Sequence, residues 1–336
     1  NGDDPTMTLT LRIGTRRSPL AMTQTGHVRQ ALADALGVGP DEMDARLPLV
    51  PIVTTGDRIQ DRRLLEVGGK ALFTKEIEAA LIDGRCDLAV HSLKDVPVEP
   101  PEGLALAAIP LREDPRDAFV SERFDAVADL PEGGRVGTAS LRRQAQLLAL
   151  RPDLRIELLR GNVDSRLKRV ADGEFEAILL AASGLNRLGR GDRIRALLPV
   201  EDFVPAPGQG ALALQTREDG APGIEHWGLA LNHPATALAV KAERAAMRAL
   251  EGSCRTAVGA HAWLEGEDLV LIAERLRPDA SEVERLFADT TRVQTLTGWK
   301  PAYAGLEGFG RGLDDTIGWF RDPANLARYR PGSYAI

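Results

Sequence analysis

The chain has 336 residues, of which 43% are hydrophobic and 27% charged, and its formal net charge is −7. This composition is typical of a globular protein with two or three domains and excludes a disordered chain. Binding to a nucleic-acid backbone relies on clustered positive charge, so the net charge argues against such a partner. Apolar runs such as residues 177–182 are far shorter than the roughly 20 residues of a membrane-spanning helix, so we expect neither membrane insertion nor secretion.

The chain contains two cysteines, Cys86 and Cys254. Two cysteines are too few for a disulfide framework, so the sequence predicts a reducing, cytoplasmic location. Cys86 precedes a predicted buried strand and is interpreted as a core residue. Cys254 follows a long predicted helix and is next to Arg255, whose positive charge favours a reactive thiolate.

Hydrophobic periodicity and turn residues predict a series of strands and helices. In chain order these are a strand at 9–13, a helix from Pro19 to about Leu36, a helix between Thr74 and Gly84, strands at 87–91 and 135–138, a helix at 141–150, a strand at 156–159, a helix at 163–171, a strand at 177–182, a helix near 192–198, a helix from Pro234 to about Leu250, and hairpin strands at 257–264 and 269–274. Alternating strands and helices predict α/β units with largely parallel sheets. The last helix and the hairpin predict a smaller α+β unit.

Two proline-rich stretches, residues 110–115 and 205–210, bracket one of the predicted α/β units. Such stretches are typical of linkers between compact parts of a chain. The sequence therefore predicts two lobes with a cleft between them.

Arginine carries most of the positive charge, with 36 arginines against six lysines. Three predicted strands end in turns that bear arginine and a small polar residue before a helix: Arg16 with Ser18, Ser140 with Arg142 and Arg143, and Arg160, Gly161 and Asn162 with Arg166. Helix N-termini and arginine both favour anions, and parallel sheets collect these turns at one edge. We therefore predict a site for a small polyanion. The alternative is that the polar residues only cap helices and the arginines face water.

Lys94 and Asp95 follow the predicted strand at 87–91, at the carboxyl edge where α/β proteins bind ligands. They are candidates for a binding or catalytic pair, and an ordinary surface ion pair is the alternative. The chain lacks a complete P-loop and a G-x-G-x-x-G motif after a strand, and its five histidines lack metal-site spacing. We therefore expect neither a nucleotide nor a metal site.

Seven segments resemble, in order, those of the porphobilinogen deaminase family, also called hydroxymethylbilane synthases. They are residues 12–21, 67–70, 91–97, 112–117, 137–143, 159–163 and 207–211. The resemblance runs from about Leu9 to about Leu276, with departures at Ala71, Ala139 and Ser253.

The resemblance implies two α/β lobes like those of periplasmic binding proteins, with a cleft, and a small α+β third domain that presents a cysteine to the cleft. Domain 1 would comprise residues 9–110 and 203–219, domain 2 residues 111–202, and a truncated domain 3 residues 220–285.

The resemblance also implies a transferase that deaminates four porphobilinogen units, joins them head to tail on a covalent dipyrromethane cofactor, and releases hydroxymethylbilane by hydrolysis. Asp95 and Lys94 would be catalytic and would bind the cofactor together with Cys254, Thr138, Ser140, Arg142 and Arg143. The substrate would be bound by Arg16, Ser18, Arg160, Gly161, Arg166 and Arg187, with Lys70 on a mobile loop near the cleft. Cys254 would carry the cofactor through a thioether, and the protein would be a cytoplasmic monomer without a metal.

Residues 286–336 depart from this family, and three segments, 289–293, 298–301 and 316–321, resemble the C-terminal end of sugar-nucleotide epimerases and dehydratases. We interpret this tail as a foreign or fused end. Two alternative functions follow. The chain could bind small polycarboxylates without priming itself, or it could be a sugar-nucleotide oxidoreductase, although the Y-x-x-x-K motif of such enzymes is missing.

Overall fold

The computed structural model describes residues 9–58, 72–250, 256–266 and 268–275. The described strands are β1 Ile13–Arg16, β2 Leu49–Ile52, β3 Leu88–Ser92, β4 Leu104–Ala108, β5 Asp117–Val120, β6 Arg135–Gly137, β7 Arg155–Glu157, β8 Ala177–Ala181, β9 Ala196–Leu198, β10 Leu212–Arg217, β11 Val258–Glu265 and β12 Asp268–Arg275. The described helices are α1 Pro19–Leu36, α2 Met43–Arg46, α3 Thr55–Arg58, α4 Lys75–Ile82, α5 Leu141–Leu150, α6 Val163–Ala171, α7 Ala182–Arg187, α8 Ile224–Leu231 and α9 Pro234–Ala249. None of these helices combines the length and the apolar character that a membrane crossing requires.

Lobe 1 is built on a five-stranded sheet with the strand order β2-β1-β3-β10-β4. Helix α1 begins at its cap, Ser18, and ends at Gly37, whose φ of 63° allows the chain to turn away. Its buried face packs on β1 and β3, and α8 adds the fully buried Trp227 to the same core. The carboxyl ends of β1, β2 and β3 therefore lie along one edge of this sheet.

Lobe 2 repeats this plan with the strand order β7-β6-β8-β5-β9. Helices α5 and α6 begin at Ser140 and Asn162, and both side chains accept a capping hydrogen bond from the backbone. In the sheet of each lobe two strand pairs are parallel and two are antiparallel. Four of the five strands in each sheet therefore run in the same direction, as predicted, and the exception is the strand that follows each crossing between the lobes, β5 in lobe 2 and β10 in lobe 1.

Two chain segments join the lobes. Residues 109–116 lead from β4 to β5 and form the first crossing segment; residues 199–211 lead from β9 to β10 and form the second crossing segment. Strand β10 thus returns to the sheet of lobe 1 and pairs with both β3 and β4.

The small third domain consists of the hairpin β11–β12, against which α9 packs. The predicted fold class, two α/β lobes with a small α+β third domain, is confirmed. Cys254, Lys70 and the tail at 286–336 lie outside the described residues.

The helix predicted near residues 192–198 is wrong. A short 3-10 turn, Gly191–Arg193, is followed by strand β9, and the helix of this region is α7. Leu197 packs on one core cluster of lobe 2 and Leu198 on the other, so these neighbours face opposite sides of the sheet, as in a strand. The first strand begins at Ile13, four residues later than predicted.

Candidate active site

The candidate catalytic pair lies at the carboxyl edge of the lobe 1 sheet. Strand β3 runs directly into a 3-10 turn, Leu93–Asp95, which carries both Lys94 and Asp95. Leu93 is buried and anchors this turn in the core, whereas the side chain of Asp95 is 31% exposed. Arg16 ends β1, the neighbouring parallel strand, and one of its guanidinium nitrogens is 3.9 Å from a carboxylate oxygen of Asp95.

Arg16 is held in place by two further contacts. Its Nη2 is 2.5 Å from Oδ1 of Asp57, and its guanidinium carbon lies 4.3 Å from the centre of the Phe73 ring. Burial alone would raise the pKa of Asp57, but the hydrogen bond to Arg16 and the attraction of its charge lower this pKa below its ordinary value. Asp57 is therefore ionised at neutral pH and fixes the orientation of Arg16.

Lys94 reaches from lobe 1 to the second crossing segment. Its Nζ donates a hydrogen bond of 3.2 Å to Oε1 of Gln209. Burial and the positive charge of Arg143 lower the pKa of Lys94 to about 8, although Asp95 and Asp117 act in the opposite direction. Lys94 is therefore a cation that is close to its titration range at neutral pH.

Arg142 and Arg143, on the first turn of α5, form a buried ion cluster with Asp117 at the start of β5. Arg143 donates to Oδ1 of Asp117 from Nε at 2.8 Å and from Nη2 at 2.6 Å, and Arg142 Nη1 is 2.7 Å from Oδ2. Burial would raise the pKa of Asp117, but the charges of Arg142 and Arg143 lower it far below its ordinary value. The alternative that these two arginines face water is wrong, since they are only 4% and 7% exposed.

Arg166 and Arg160 belong to the same charged region. Arg166 Nε donates a hydrogen bond of 2.6 Å to the carbonyl of Gly161, at the turn between β7 and α6. Burial lowers the pKa of Arg166 to about 10, and the charges of Arg143 and Arg160 act in the same direction. Asp95 raises this pKa, so a carboxylate of lobe 1 acts on a cation of lobe 2.

The small polar residues at the helix starts act as caps. Ser18 Oγ accepts a hydrogen bond from Ala21 N, and Ser140 Oγ accepts one from Arg143 N, each at 3.4 Å. Thr138 Oγ1 in turn accepts from Ser140 N at 3.1 Å. Because a hydroxyl that accepts such a bond can still donate its proton, capping is compatible with binding an anion.

Arg187 lies on α7, where its Nη2 donates a hydrogen bond of 2.7 Å to the carbonyl of Gly210. Burial lowers the pKa of Arg187, and the nearby Glu113 raises it. With Glu113 and apolar residues such as Val28 and Leu231, Arg187 lines a cavity of about 350 Å³. Cys254, the predicted point of cofactor attachment, and Lys70, which was expected near the cleft, lie outside the described part of the chain.

Sequence reasoning assigned no role to several residues that hold this site together. They are Asp57, Phe73, Asp117 and Gln209. For Asp117 the signal was an acidic residue at the start of a strand, Asp117–Val120, that is otherwise apolar. Gln209 carried a weaker signal, since it is a polar residue between two glycines in a proline-rich linker.

Two family models together match most of the chain. The model of the "Porphobilinogen deaminase, dipyromethane cofactor binding domain" matches residues 11–223, and that of the "Porphobilinogen deaminase, C-terminal domain" matches residues 237–294. The second match continues past Leu276, the residue near which the resemblance was expected to end. The resemblance of the tail to sugar-nucleotide epimerases and dehydratases is not supported.

Among curated proteins, the chain is 60% identical over 272 residues to a porphobilinogen deaminase of Phenylobacterium zucineum (strain HLK1). The aligned region covers 80% of this chain and 84% of that protein. The chain is 57% identical over 287 residues to a porphobilinogen deaminase of Caulobacter vibrioides (strain NA1000 / CB15N), covering 84% and 88%. A porphobilinogen deaminase of Thiobacillus denitrificans (strain ATCC 25259 / T1) is 48% identical over 289 residues, covering 85% and 92%.

Among solved structures, a periplasmic substrate-binding protein of an ABC transporter from Coxiella burnetii matches with a TM-score of 0.43 and 16% identity, covering 70% of this chain and 97% of that one. The methionine-binding protein MetQ matches with a TM-score of 0.44 and 14% identity, covering 78% and 100%.

Proposed function

Since the chain belongs to the porphobilinogen deaminase family, we propose that the residues gathered around Asp95 and Lys94 are its active site. The chain is a transferase that deaminates porphobilinogen and joins four units head to tail on a dipyrromethane cofactor in tetrapyrrole biosynthesis, with hydroxymethylbilane as the released product. The roles of individual residues given below are our proposals.

The single observation that supports this active site best is the excess of buried and half-buried positive charge between the lobes. The cations Arg16, Lys94, Arg142, Arg143, Arg160 and Arg166 outnumber the carboxylates Asp57, Asp95 and Asp117 among the described residues of the site. Their mutual repulsion helps to lower the pKa values of Lys94 and Arg166. A polyanionic ligand relieves this repulsion, and each pyrrole unit of the substrate carries two carboxylates.

The described residues fit a dipyrromethane group. Nε of Arg142 is buried and has no hydrogen-bond partner among the described residues, so it can donate to a carboxylate of a bound ligand. Arg142, Arg143, Lys94, Thr138 and Ser140 would hold the carboxylates of the cofactor, and Cys254 would carry it through a thioether. When bound, the cofactor supplies the pyrrole carbon to which the first substrate unit is joined.

Asp95 is the proposed catalytic acid and base. It is the partly exposed carboxylate of a turn that is otherwise anchored in the core, and Arg16 and Arg166 act on it from the two lobes. A carboxylate in this position accepts hydrogen bonds from pyrrole N–H groups and stabilises positive charge that develops on the substrate when ammonia leaves.

The remaining cations and caps would bind the incoming substrate. Arg16, Arg160, Arg166 and Arg187 would pair with its carboxylates, while Ser18 would donate a hydroxyl hydrogen bond and Gly161 a backbone one. The capping contact of Ser18 and the bond between Arg166 and Gly161 hold two of these groups in place before a ligand arrives. A monomeric state, a cytoplasmic location and the absence of nucleic-acid and membrane partners remain predictions.

The first test is Asp95→Asn, which removes the charge but keeps the shape of the side chain. We expect a loss of more than about a hundredfold in turnover, because the substrate cation loses its counter-charge. The measurement is the rate of porphobilinogen consumption and of ammonia release, together with circular dichroism to verify folding.

Asp83→Asn is the matched control for this test. Asp83 lies in the turn that leads into the opposite end of β3, is exposed and pairs with Arg85 at 3.4 Å. Turnover should be unchanged in Asp83→Asn. If Asp95→Asn also kept normal turnover, the assignment of Asp95 would be refuted.

A further inference from the structure

Gln209 occupies the point at which both lobes and the second crossing segment meet. Its side chain is 1% exposed and contacts lobe 1 through Lys94 and lobe 2 through Asp117. A fully buried primary amide is costly unless its donors and its acceptor are used. Here Nε2 donates to the carbonyl of Pro115 at 2.7 Å and to Oδ1 of Asp117 at 3.1 Å, while Oε1 accepts from Nζ of Lys94 at 3.2 Å.

The orientation of this amide is determined by its neighbours. The carbonyl of Pro115 and the carboxylate of Asp117 can only accept hydrogen bonds, and the ammonium of Lys94 can only donate them. The amide nitrogen must therefore face lobe 2 and the amide oxygen must face Lys94. A carboxylate at this position would lose both donors, and an apolar side chain would lose all three hydrogen bonds.

The backbone around Gln209 is also held rigidly. Its N–H donates to the carbonyl of Ala206 at 2.8 Å, and its own carbonyl accepts from Nε of Arg112 at 2.8 Å. The neighbouring Gly208, with a φ of 76°, donates its N–H to buried Glu243 at 2.7 Å. Gln209 therefore presents its oxygen to Lys94 from a position that does not depend on a ligand.

Lys94 needs such an acceptor because the charges around it pull in different directions. Asp95 on its own turn and Asp117 at the start of β5 attract the ammonium, whereas Arg142 and Arg143 on α5 repel it. Without a neutral acceptor, the ammonium would move towards one of the carboxylates. It would then neutralise Asp95, the proposed catalytic group, or leave the position in which it can bind a carboxylate of the ligand.

We propose that Gln209 is a positioning residue, which holds the ammonium of Lys94 between the two lobes for binding of a pyrrole carboxylate and keeps it away from Asp95. The inference rests on the proposed role of Lys94 in the active site. The second crossing segment would then position a residue of the active site as well as join the lobes.

The direct test is the pKa of the Lys94 amine in the full chain, measured by NMR on protein labelled with nitrogen-15 at the lysine side chains. The chain has six lysines, and the Lys94→Met spectrum identifies the signal of Lys94 by its loss. In Gln209→Met, which keeps the length of the side chain, we expect the pKa of Lys94 to rise by about one pH unit, because the ammonium then moves towards Asp95 or Asp117 and a nearby negative charge favours its charged form. In Gln209→Glu, the new carboxylate should also raise this pKa.

The kinetic test uses the same variants with porphobilinogen as the probe. We expect Gln209→Met to lower kcat/KM roughly tenfold, and the double variant with Lys94→Met to be no worse than Lys94→Met alone, because Gln209 acts through Lys94. Gln146→Met is the matched control. Gln146 is also buried and also contacts the second crossing segment, through the carbonyl of Val204 at 3.0 Å, but that contact is not to Lys94.

The outcomes separate this inference from the proposed function. An unchanged pKa of Lys94 in Gln209→Met, equal effects in Gln146→Met, or additive losses in the double variant would overturn the positioning role. Full activity of Lys94→Met would instead overturn the proposed role of Lys94. If Gln209→Met fails to fold, Gln209→Glu decides, and a pKa of Lys94 that does not rise in it contradicts the inference.

Discussion

At the residue scale, Asp117 is the carboxylate that neutralises the two buried arginines of the site. It is fully buried and is the direct counter-charge of Arg142 and Arg143, and it also accepts a hydrogen bond from Gln209. Moving three charged groups out of water is expensive, and the cluster is tolerated because each charge faces an opposite one. The cluster holds in place two arginines that we propose bind the cofactor, and a buried ion pair is by itself weak evidence of a gain in stability.

Asp117→Asn should be strongly destabilising. The substitution leaves two buried guanidinium groups without their counter-charge, for which we expect a loss of about 3–5 kcal/mol in the free energy of unfolding. Chemical denaturation at neutral pH measures this loss. Asp153→Asn is the control, because Asp153 pairs with Arg151 on the surface at 2.7 Å and such pairs contribute little. Equal losses in the two variants would contradict the argument.

The same cluster should make stability depend on pH. The folded state holds the pKa of Asp117 below its unfolded value of 3.8, so its ionisation stabilises the fold above that value. This contribution is lost as the pH falls through the unfolded pKa towards the folded one, and the free energy of unfolding should decline below about pH 5. Asp117→Asn should lack this part of the decline.

The sequence was sufficient to predict the neighbours of residues whose position follows from local structure. Lys94, Asp95 and Arg16 follow or end strands, and a parallel sheet brings such ends together, so their neighbourhood could be predicted. Asp117 and Gln209 could not be assigned in this way. Asp117 contacts arginines of α5 that are distant from it in the chain, and Gln209 reaches Asp117 from the second crossing segment. No local pattern in the sequence shows such contacts.

At the element scale, helices with clear caps were predicted well. The bounds of α5 and α6 are those predicted, and Ser140 and Asn162 cap their starts. Helix α1 also ends at Leu36 as expected, because Gly37 follows it. Strand β9 was predicted as a helix. Its three residues are too few to show a period, and their pairing with β5 is a tertiary contact that the sequence does not display.

The two crossing segments pass each other at Gly210. Its φ is 87°, and a Cβ at this position would overlap the carbonyl oxygen of Glu113 and come within 3.0 Å of that of Asp114. A side chain at position 210 would therefore collide with the first crossing segment. The positive φ is a second, separate reason why this residue is glycine. Because Gly210 directly follows Gln209, the same close approach also holds the backbone beside Gln209 in place.

Gly210→Ala should destabilise the fold more than the same substitution at a glycine that has a positive φ but open space around it. Gly173, with a φ of 75°, has open space where a Cβ would lie, and Gly173→Ala should cost only about 1 kcal/mol. Gly210→Ala must also push two backbones apart, so we expect a loss of more than about 3 kcal/mol and reduced activity. Thermal unfolding and kcat/KM of both variants test this, and similar losses would refute the steric argument.

At the scale of the whole molecule, one buried carboxylate connects the third domain to both crossing segments. Glu243 on α9 pairs with Arg112 at 2.6 Å and accepts hydrogen bonds from the backbone of Gly208 at 2.7 Å and of Ala262 at 2.8 Å. Burial would raise the pKa of Glu243, but His261 and Arg112 lower it, so it is ionised. The third domain is therefore attached at the place where the lobes are joined.

The distribution of charge over the molecule also bears on the cofactor. The chain has a net charge of −7, yet the region between its lobes holds an excess of cations. Binding of a group that carries carboxylates should therefore stabilise the folded protein, because a ligand that binds only the folded state shifts the unfolding equilibrium. A protein without the cofactor should be less stable although its covalent chain is otherwise intact.

Cys254→Ser tests this dependence directly. We expect the intact mass of the protein, when it is expressed with porphobilinogen available, to exceed the mass of the chain by a dipyrrole, and we expect this excess to vanish in Cys254→Ser together with activity and a few degrees of Tm. Cys86→Ala is the control, because Cys86 is buried in lobe 1 and burial raises the pKa of its thiol to about 11, which makes it unreactive. That variant should keep the added mass. An unmodified wild-type chain, or an added mass that persists in Cys254→Ser, would show that Cys254 is not the point of attachment.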